Sequence, residues 1–203
     1  GLRGYAYNEL GKCEQAILEL NEAIRIDPEF AAAYNTRGNT FRKLGKYEQA
    51  IADHTKAMQL DPKYLNAYFD RGHTYLFLGE YEKAILDFDE AIRLDPEYAY
   101  VYNERGVAYF SLGDYEQAIA NFNVAIRIAP EYAYAYVCYG NRGDVYTKLG
   151  KWEDAIADFT EAIRIDPGYA RAYWLRGNAY RELGKQAEAD ADFQKYLDLN
   201  GQP

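Results

Sequence analysis

His54, His73, Cys13 and Cys138 are the only histidines and cysteines available for general-base, nucleophilic or metal-ligating chemistry. Acid–base catalysis needs a group poised near neutral pH, and a zinc site needs several such side chains close together. Neither histidine has a cysteine or a second histidine at ligand spacing. His54 stands where later copies of the surrounding stretch carry Phe88, Phe122, Phe159 and Phe193, which predicts a packing histidine. His73 is expected on the inner face of its helix, where it can touch a partner. The carboxylates recur at a fixed period, as a solvated or ion-paired framework would. The glycines form neither G-x-x-x-x-G-K-[ST] nor a strand-borne G-x-G-x-x-G. These residues predict no enzyme, no catalytic group, no metal and no cofactor. Cysteines in distant copies are expected to stay free thiols, which suits a reducing, cytoplasmic compartment.

The periodicity explains the rest. Leu-Gly returns at Leu10-Gly11, Leu44-Gly45, Leu78-Gly79, Leu112-Gly113, Leu149-Gly150 and Leu183-Gly184, spaced by 34, 34, 34, 37 and 34 residues. A fixed period of this length marks a solenoid. In one copy Tyr68, Arg71, Gly72 and Tyr75 share a helical face, and Leu78-Gly79 stops that helix. A second helix is predicted over Tyr81–Leu94, with Tyr81, Ala84, Ile85, Phe88, Ala91 and Ile92 on one stripe. Asp95-Pro96 ends it, and the proline is expected to open the next helix.

The pattern aromatic-x3-Gly-x2-aromatic, Leu-Gly, Ala-x3-Phe, Pro resembles the tetratricopeptide repeat (TPR), from Gly1 to about Asn200. The resemblance implies an all-α, right-handed superhelical solenoid of antiparallel helix pairs, a single domain over residues 1–203. Its repeats span about 1–28, 31–62, 65–96, 99–130, 133–167 and 170–200. Arginine precedes the first glycine throughout: Arg3, Arg37, Arg71, Arg105, Arg142 and Arg176. This is similar to an Arg-Gly variety common in bacterial proteins. Each arginine is expected to pair with a recurring acid on a second helix, from Glu19, Asp53, Asp87, Asp158 and Asp192; repeat four has Asn121 instead. The first repeat begins partway down its first helix, as in a fragment of a longer chain.

With 32 acidic against 23 basic residues the net charge is −9, which predicts no nucleic-acid partner and no anionic-membrane partner. No apolar run approaches the roughly 20 residues of a membrane span. The resemblance implies instead a scaffold whose first helices line a concave groove for a peptide segment of a partner protein. Carried over residue by residue, the groove is expected to present Asn35, Asn39, Arg42 and Lys43 from repeat two. Repeat three gives Asn66, Phe69, His73 and Phe77, and repeat four gives Tyr100, Asn103, Val107 and Phe110. Repeat five adds Asn141 and Lys148, and repeat six adds Arg171, Trp174 and Asn178. Phe69, Phe77 and Phe110 are expected to project from the packed stripe. Asn35 and Asp70 stand where a chaperone-tail clamp would need other groups, so that activity is not expected.

Alternatives are a regulatory arm of a larger protein and end-to-end self-association, the latter through an apolar side of the last helix that includes Ala189, Phe193 and Leu197. The three extra residues of repeat five are expected within Ala133–Cys138. They would lengthen the first helix by a turn, leaving Tyr139 packed and Tyr134, Tyr136 and Val137 protruding.

Overall fold

The computed structural model describes Tyr5, Tyr7 and residues 12–129 and 134–200, and every regular element among these is an α-helix. The chain divides into two compact units, Gly1–Glu97 and Tyr98–Pro203. The first contains α1 (Cys13–Ile26), α2 (Ala31–Lys43), α3 (Tyr47–Leu60), α4 (Leu65–Leu78) and α5 (Tyr81–Leu94). The second contains α6 (Ala99–Leu112), α7 (Tyr115–Ile128), α8 (Ala135–Lys148), α9 (Trp152–Ile165), α10 (Ala170–Glu182) and α11 (Gln186–Leu199). Arg3, the Leu10-Gly11 stop, Pro130 and Ala133 lie outside the described residues.

Local chemistry sets the boundaries. Gly79 caps α4 at φ 74°, a left-handed conformation that releases the chain at low cost only for glycine. Proline does not open the next helix. Asp61 is extended (φ −134°, ψ 95°) and its Oδ1 accepts from the Lys63 N–H at 3.0 Å, so Pro62 lies in an Asx turn and α4 starts at Leu65. Asp27, Asp95 and Asp166 build the same turn.

Each pair is held by one dipeptide docking on another. Arg71 Nε and Nη2 donate to Asp87 Oδ2 and Oδ1 at 2.8 and 2.7 Å. Next to it, Gly72 lies beneath the Phe88 ring, so close that a Cβ there would stand 2.7 Å from Cε1. Arg37–Asp53, Arg142–Asp158 and Arg176–Asp192 repeat the fork at the same separation of 16 residues. The arginines therefore pair within their own repeat. At Arg105 an amide oxygen stands in the acid's place: Nε donates to Asn121 Oδ1 at 2.8 Å. The rings over the glycines are the bulk of the core: Phe88, Phe122 and Phe159 are fully buried. Burying such a side chain contributes about 1.5–3 kcal/mol.

First helices touch one another: α2 with α4 in the first unit, α6 with α8 and α8 with α10 in the second. Among the described residues of each unit, no second helix reaches the next second helix. The first helices therefore form the inner layer of each unit, and their unpacked faces lie side by side.

Two expectations are corrected. α8 has 14 residues, like α4 and α6, and gains no turn. Tyr139 does fill the repeat's aromatic slot, 5.4 Å beneath the Arg142 guanidinium as Tyr102 lies 5.6 Å beneath Arg105. Tyr136 does not protrude; it packs edge-on against Tyr169 at 4.8 Å. On α11, Ala189 is fully buried and Phe193 lies over Gly177, so of the three only Leu197, 58% exposed, is open.

Candidate peptide-binding surface

In the first unit, α2 and α4 place the expected residues at three depths. Deepest is Asn35, only 4% exposed. Its Nδ2 donates to Asp70 Oδ2 at 2.7 Å and its Oδ1 faces His54 Nδ1 at 2.9 Å. Because that oxygen can only accept, His54 carries its proton on Nδ1. Burial and the charges of Arg42 and Arg71 pull the His54 pKa down to about 3, so the ring is neutral. It covers Gly38 as Phe88 covers Gly72, which makes His54 a packing residue. Asn39 also donates to Asp70 Oδ2, at 2.7 Å, and burial raises the pKa of that carboxyl. Asn35 is therefore an internal brace, out of a ligand's reach.

Above this layer Phe69, His73 and Phe77 climb α4 one turn at a time. Ring centroids are 6.0 Å apart for Phe69–His73 and 5.2 Å for His73–Phe77. Phe69 also packs on Phe88 at 6.1 Å, so it belongs partly to the core. His73, half-buried, has its pKa drawn down to about 4 by desolvation and by Arg42. Phe77 is 61% exposed and lies parallel to Tyr47 at 6.4 Å. Arg42 reaches over Phe77 at 5.8 Å, and Arg42, Lys43, Tyr47 and Phe77 line a cleft of about 260 Å³. Asn66 is exposed. Tyr47 was missing from the expected set because it opens a second helix; the recurring aromatic at Tyr47, Tyr81, Tyr115 and Trp152 was the available signal.

In the second unit Asn103, 1% exposed, is the counterpart of Asn35. It donates to Glu104 Oε1 and to the Tyr134 hydroxyl at 3.1 and 3.2 Å, and accepts from Asn141 Nδ2 at 3.0 Å. It too is an internal brace. Tyr134 stacks on Tyr100 at 4.2 Å, closing that part of the surface. Val107 and Phe110 are half-buried on the Ala118, Phe122 and Val145 cluster. With Ser111, Asn141, Asp144 and Arg171 they line a second cleft of about 250 Å³. Arg171 is ion-paired to Asp144, whose pKa burial raises. Lys148 is exposed. Trp174 is 47% exposed, and Asn178 donates to the Trp174 carbonyl at 2.8 Å.

Among the described residues no group of three or more His, Cys, Asp or Glu side chains could hold a metal ion. Nor is any helix among them long and apolar enough to cross a membrane.

Stacked helix pairs with an inner layer of first helices define a repeat protein, and comparison agrees. A model of the TPR repeat matches residues 4–41, 38–79 and 143–184, and tetratricopeptide-repeat models match 69–133 and 170–203. The chain belongs to the tetratricopeptide-repeat family. None of these models is that of a catalytic family.

Among solved structures, MamA is similar at 31% identity and a TM-score of 0.72, covering 80% of this chain and 94% of that one. PilF of Pseudomonas aeruginosa superposes with a TM-score of 0.84 at 20% identity, over 96% of this chain and 87% of its own. YrrB, described as a TPR protein with an unusual peptide-binding site, gives 0.68 at 23% identity, over 89% of this chain and 91% of its own. These last two likenesses concern the fold alone. No curated protein sequence matched the chain.

Proposed function

We propose that the chain is a protein-interaction scaffold that holds a peptide segment of a partner against the inner faces of its first helices, with no chemistry of its own. The observation that carries this is Phe77: a large aromatic side chain 61% exposed, on the inner layer, beside a cleft and a guanidinium. Exposed aromatics flanked by arginine are the anchors that dominate binding energy at interfaces. YrrB, which shares the fold, is a precedent for peptide binding on such a scaffold. The free thiols Cys13 and Cys138 support a reducing compartment such as the cytoplasm.

A random peptide display selection against the full chain tests the proposal. Selected peptides are expected to lose at least tenfold in affinity for Phe77→Ser, while the melting temperature stays within about 2 °C. Peptides that bind Phe77→Ser unchanged would move the site elsewhere. Self-association is separable by sedimentation at rising concentration.

A further inference from the structure

The cleft beside Phe77 has a chemistry of its own. Arg42 Nε is buried and has no hydrogen-bond partner, and its Nη2 reaches only Asn39 Oδ1, at a long 3.4 Å. A buried charged donor without an acceptor is costly, and native structures leave few of them. Among the described residues the lining is Arg42, Lys43, Tyr47 and Phe77, two cations and two aromatics, in a chain of net charge −9. Asp70 feels the charge of Arg42, but its Oδ2 already accepts from the amides of Asn35 and Asn39. At about 260 Å³ the cleft falls just below the roughly 300–1,000 Å³ of small-molecule sites. It suits one or two side chains rather than a cofactor.

We propose that this cleft selects an acidic peptide: a glutamate side chain accepts from the Arg42 guanidinium, and a neighbouring aromatic or aliphatic residue packs on Phe77 and Tyr47. The proposal rests on the peptide-binding reading and names its partner class. It differs from the tail clamp considered above, because the carboxylate is held by Arg42 at the end of α2 and belongs to a side chain within the segment. Guanidinium and carboxylate match as a charge-assisted pair, and the aromatic floor lowers the local dielectric. Neutral His73, behind Phe77, adds no competing charge.

The test uses the full chain and synthetic ten-residue peptides with blocked ends, alternating glutamate with phenylalanine between serine-glycine flanks. Fluorescence anisotropy would compare this peptide with its glutamine analogue and with a glutamine analogue carrying a free C-terminal carboxylate. The glutamate peptide is expected to bind about tenfold more tightly than the glutamine peptide, more so at low salt. Arg42→Gln should abolish that preference, and Lys43→Gln, at an exposed position, should reduce it without threatening the fold. Equal binding of the blocked glutamate and glutamine peptides, or no measurable binding of the glutamate peptide, would overturn the proposal. Tighter binding of the free-acid analogue would overturn it in favour of a chain terminus. The peptide-binding reading fails separately, only if display selection yields no peptide sensitive to Phe77→Ser.

Discussion

Arg71 and Asp87 meet across α4 and α5 as a two-pronged ion pair, Nε to Oδ2 at 2.8 Å and Nη2 to Oδ1 at 2.7 Å. The third arm, Nη1, donates to Thr55 Oγ1 on α3 at 2.8 Å. One guanidinium thereby ties a helix pair to the pair before it. Arg37 to Asn21 and Arg176 to Thr160 repeat the third contact at 2.6 and 3.0 Å, and Arg142 makes it with Asn123. Lysine also has three donors, but it lacks the planar fork that grips both carboxylate oxygens while a further arm reaches the neighbouring pair.

Asp87→Asn should cost about 1 kcal/mol, since one acceptor remains, as in the native Arg105–Asn121 contact. Asp87→Ala should cost about 3 kcal/mol, because it leaves a largely buried guanidinium with no acid. Urea denaturation checks both. Equal losses would mean that the fork geometry contributes nothing.

His54 makes stability depend on pH. Its pKa is about 3 in the folded chain against 6.5 for an ordinary histidine, so between these values only the unfolded chain binds the proton. This contribution is complete above pH 6.5 and is lost as the pH falls. At pH 5 the deficit is about 2 kcal/mol. His54→Phe, which restores the ring that the other repeats place over their glycine, should remove about half of the acid slope and leave the share of His73, whose pKa is also drawn down, to about 4. A variant whose stability falls with acid as steeply as the parent's would contradict the assignment.

Tyr134 closes the irregular junction by stacking on Tyr100 and bonding Asn103 and Glu104. Tyr134→Phe should cost about 1 kcal/mol from the hydroxyl, and Tyr134→Ala about 3 kcal/mol. Hydrogen exchange should quicken in the first turns of α6 and α8 before the rest of the second unit. Uniform acceleration would place the effect elsewhere.

The fold could be read from the sequence because helix stops and core positions repeat: Tyr81–Leu94 was bounded correctly at both ends by Gly79 and Asp95. The Arg–Asp pairing was legible because both partners recur in phase. The site was less so. Asn35 and Asn103 lie on the inner side by helical phase, but depth depends on what covers them: Tyr134 reaches Asn103 from the turn that opens α8, and Asp70 draws Asn35 inward. Phe69 and Phe77 share a helix face, yet only Phe69 meets Phe88, because that ring sits level with Gly72. The three extra residues misled because helical phase was taken to require a full added turn. Six residues separate α7 from α8 where four separate α3 from α4, and Tyr139 keeps register with Arg142.

Hydroxyl-radical footprinting of the chain, with and without a saturating display-selected peptide, tests the peptide-binding account most directly. Phe77 is 61% exposed on a first helix, while Leu18 and Leu86 are 69% and 66% exposed on second helices and serve as internal references. The account predicts that bound peptide lowers oxidation of Phe77 several-fold and leaves Leu18 and Leu86 unchanged. Protection of Leu18 or Leu86 with Phe77 still fully reactive would contradict it.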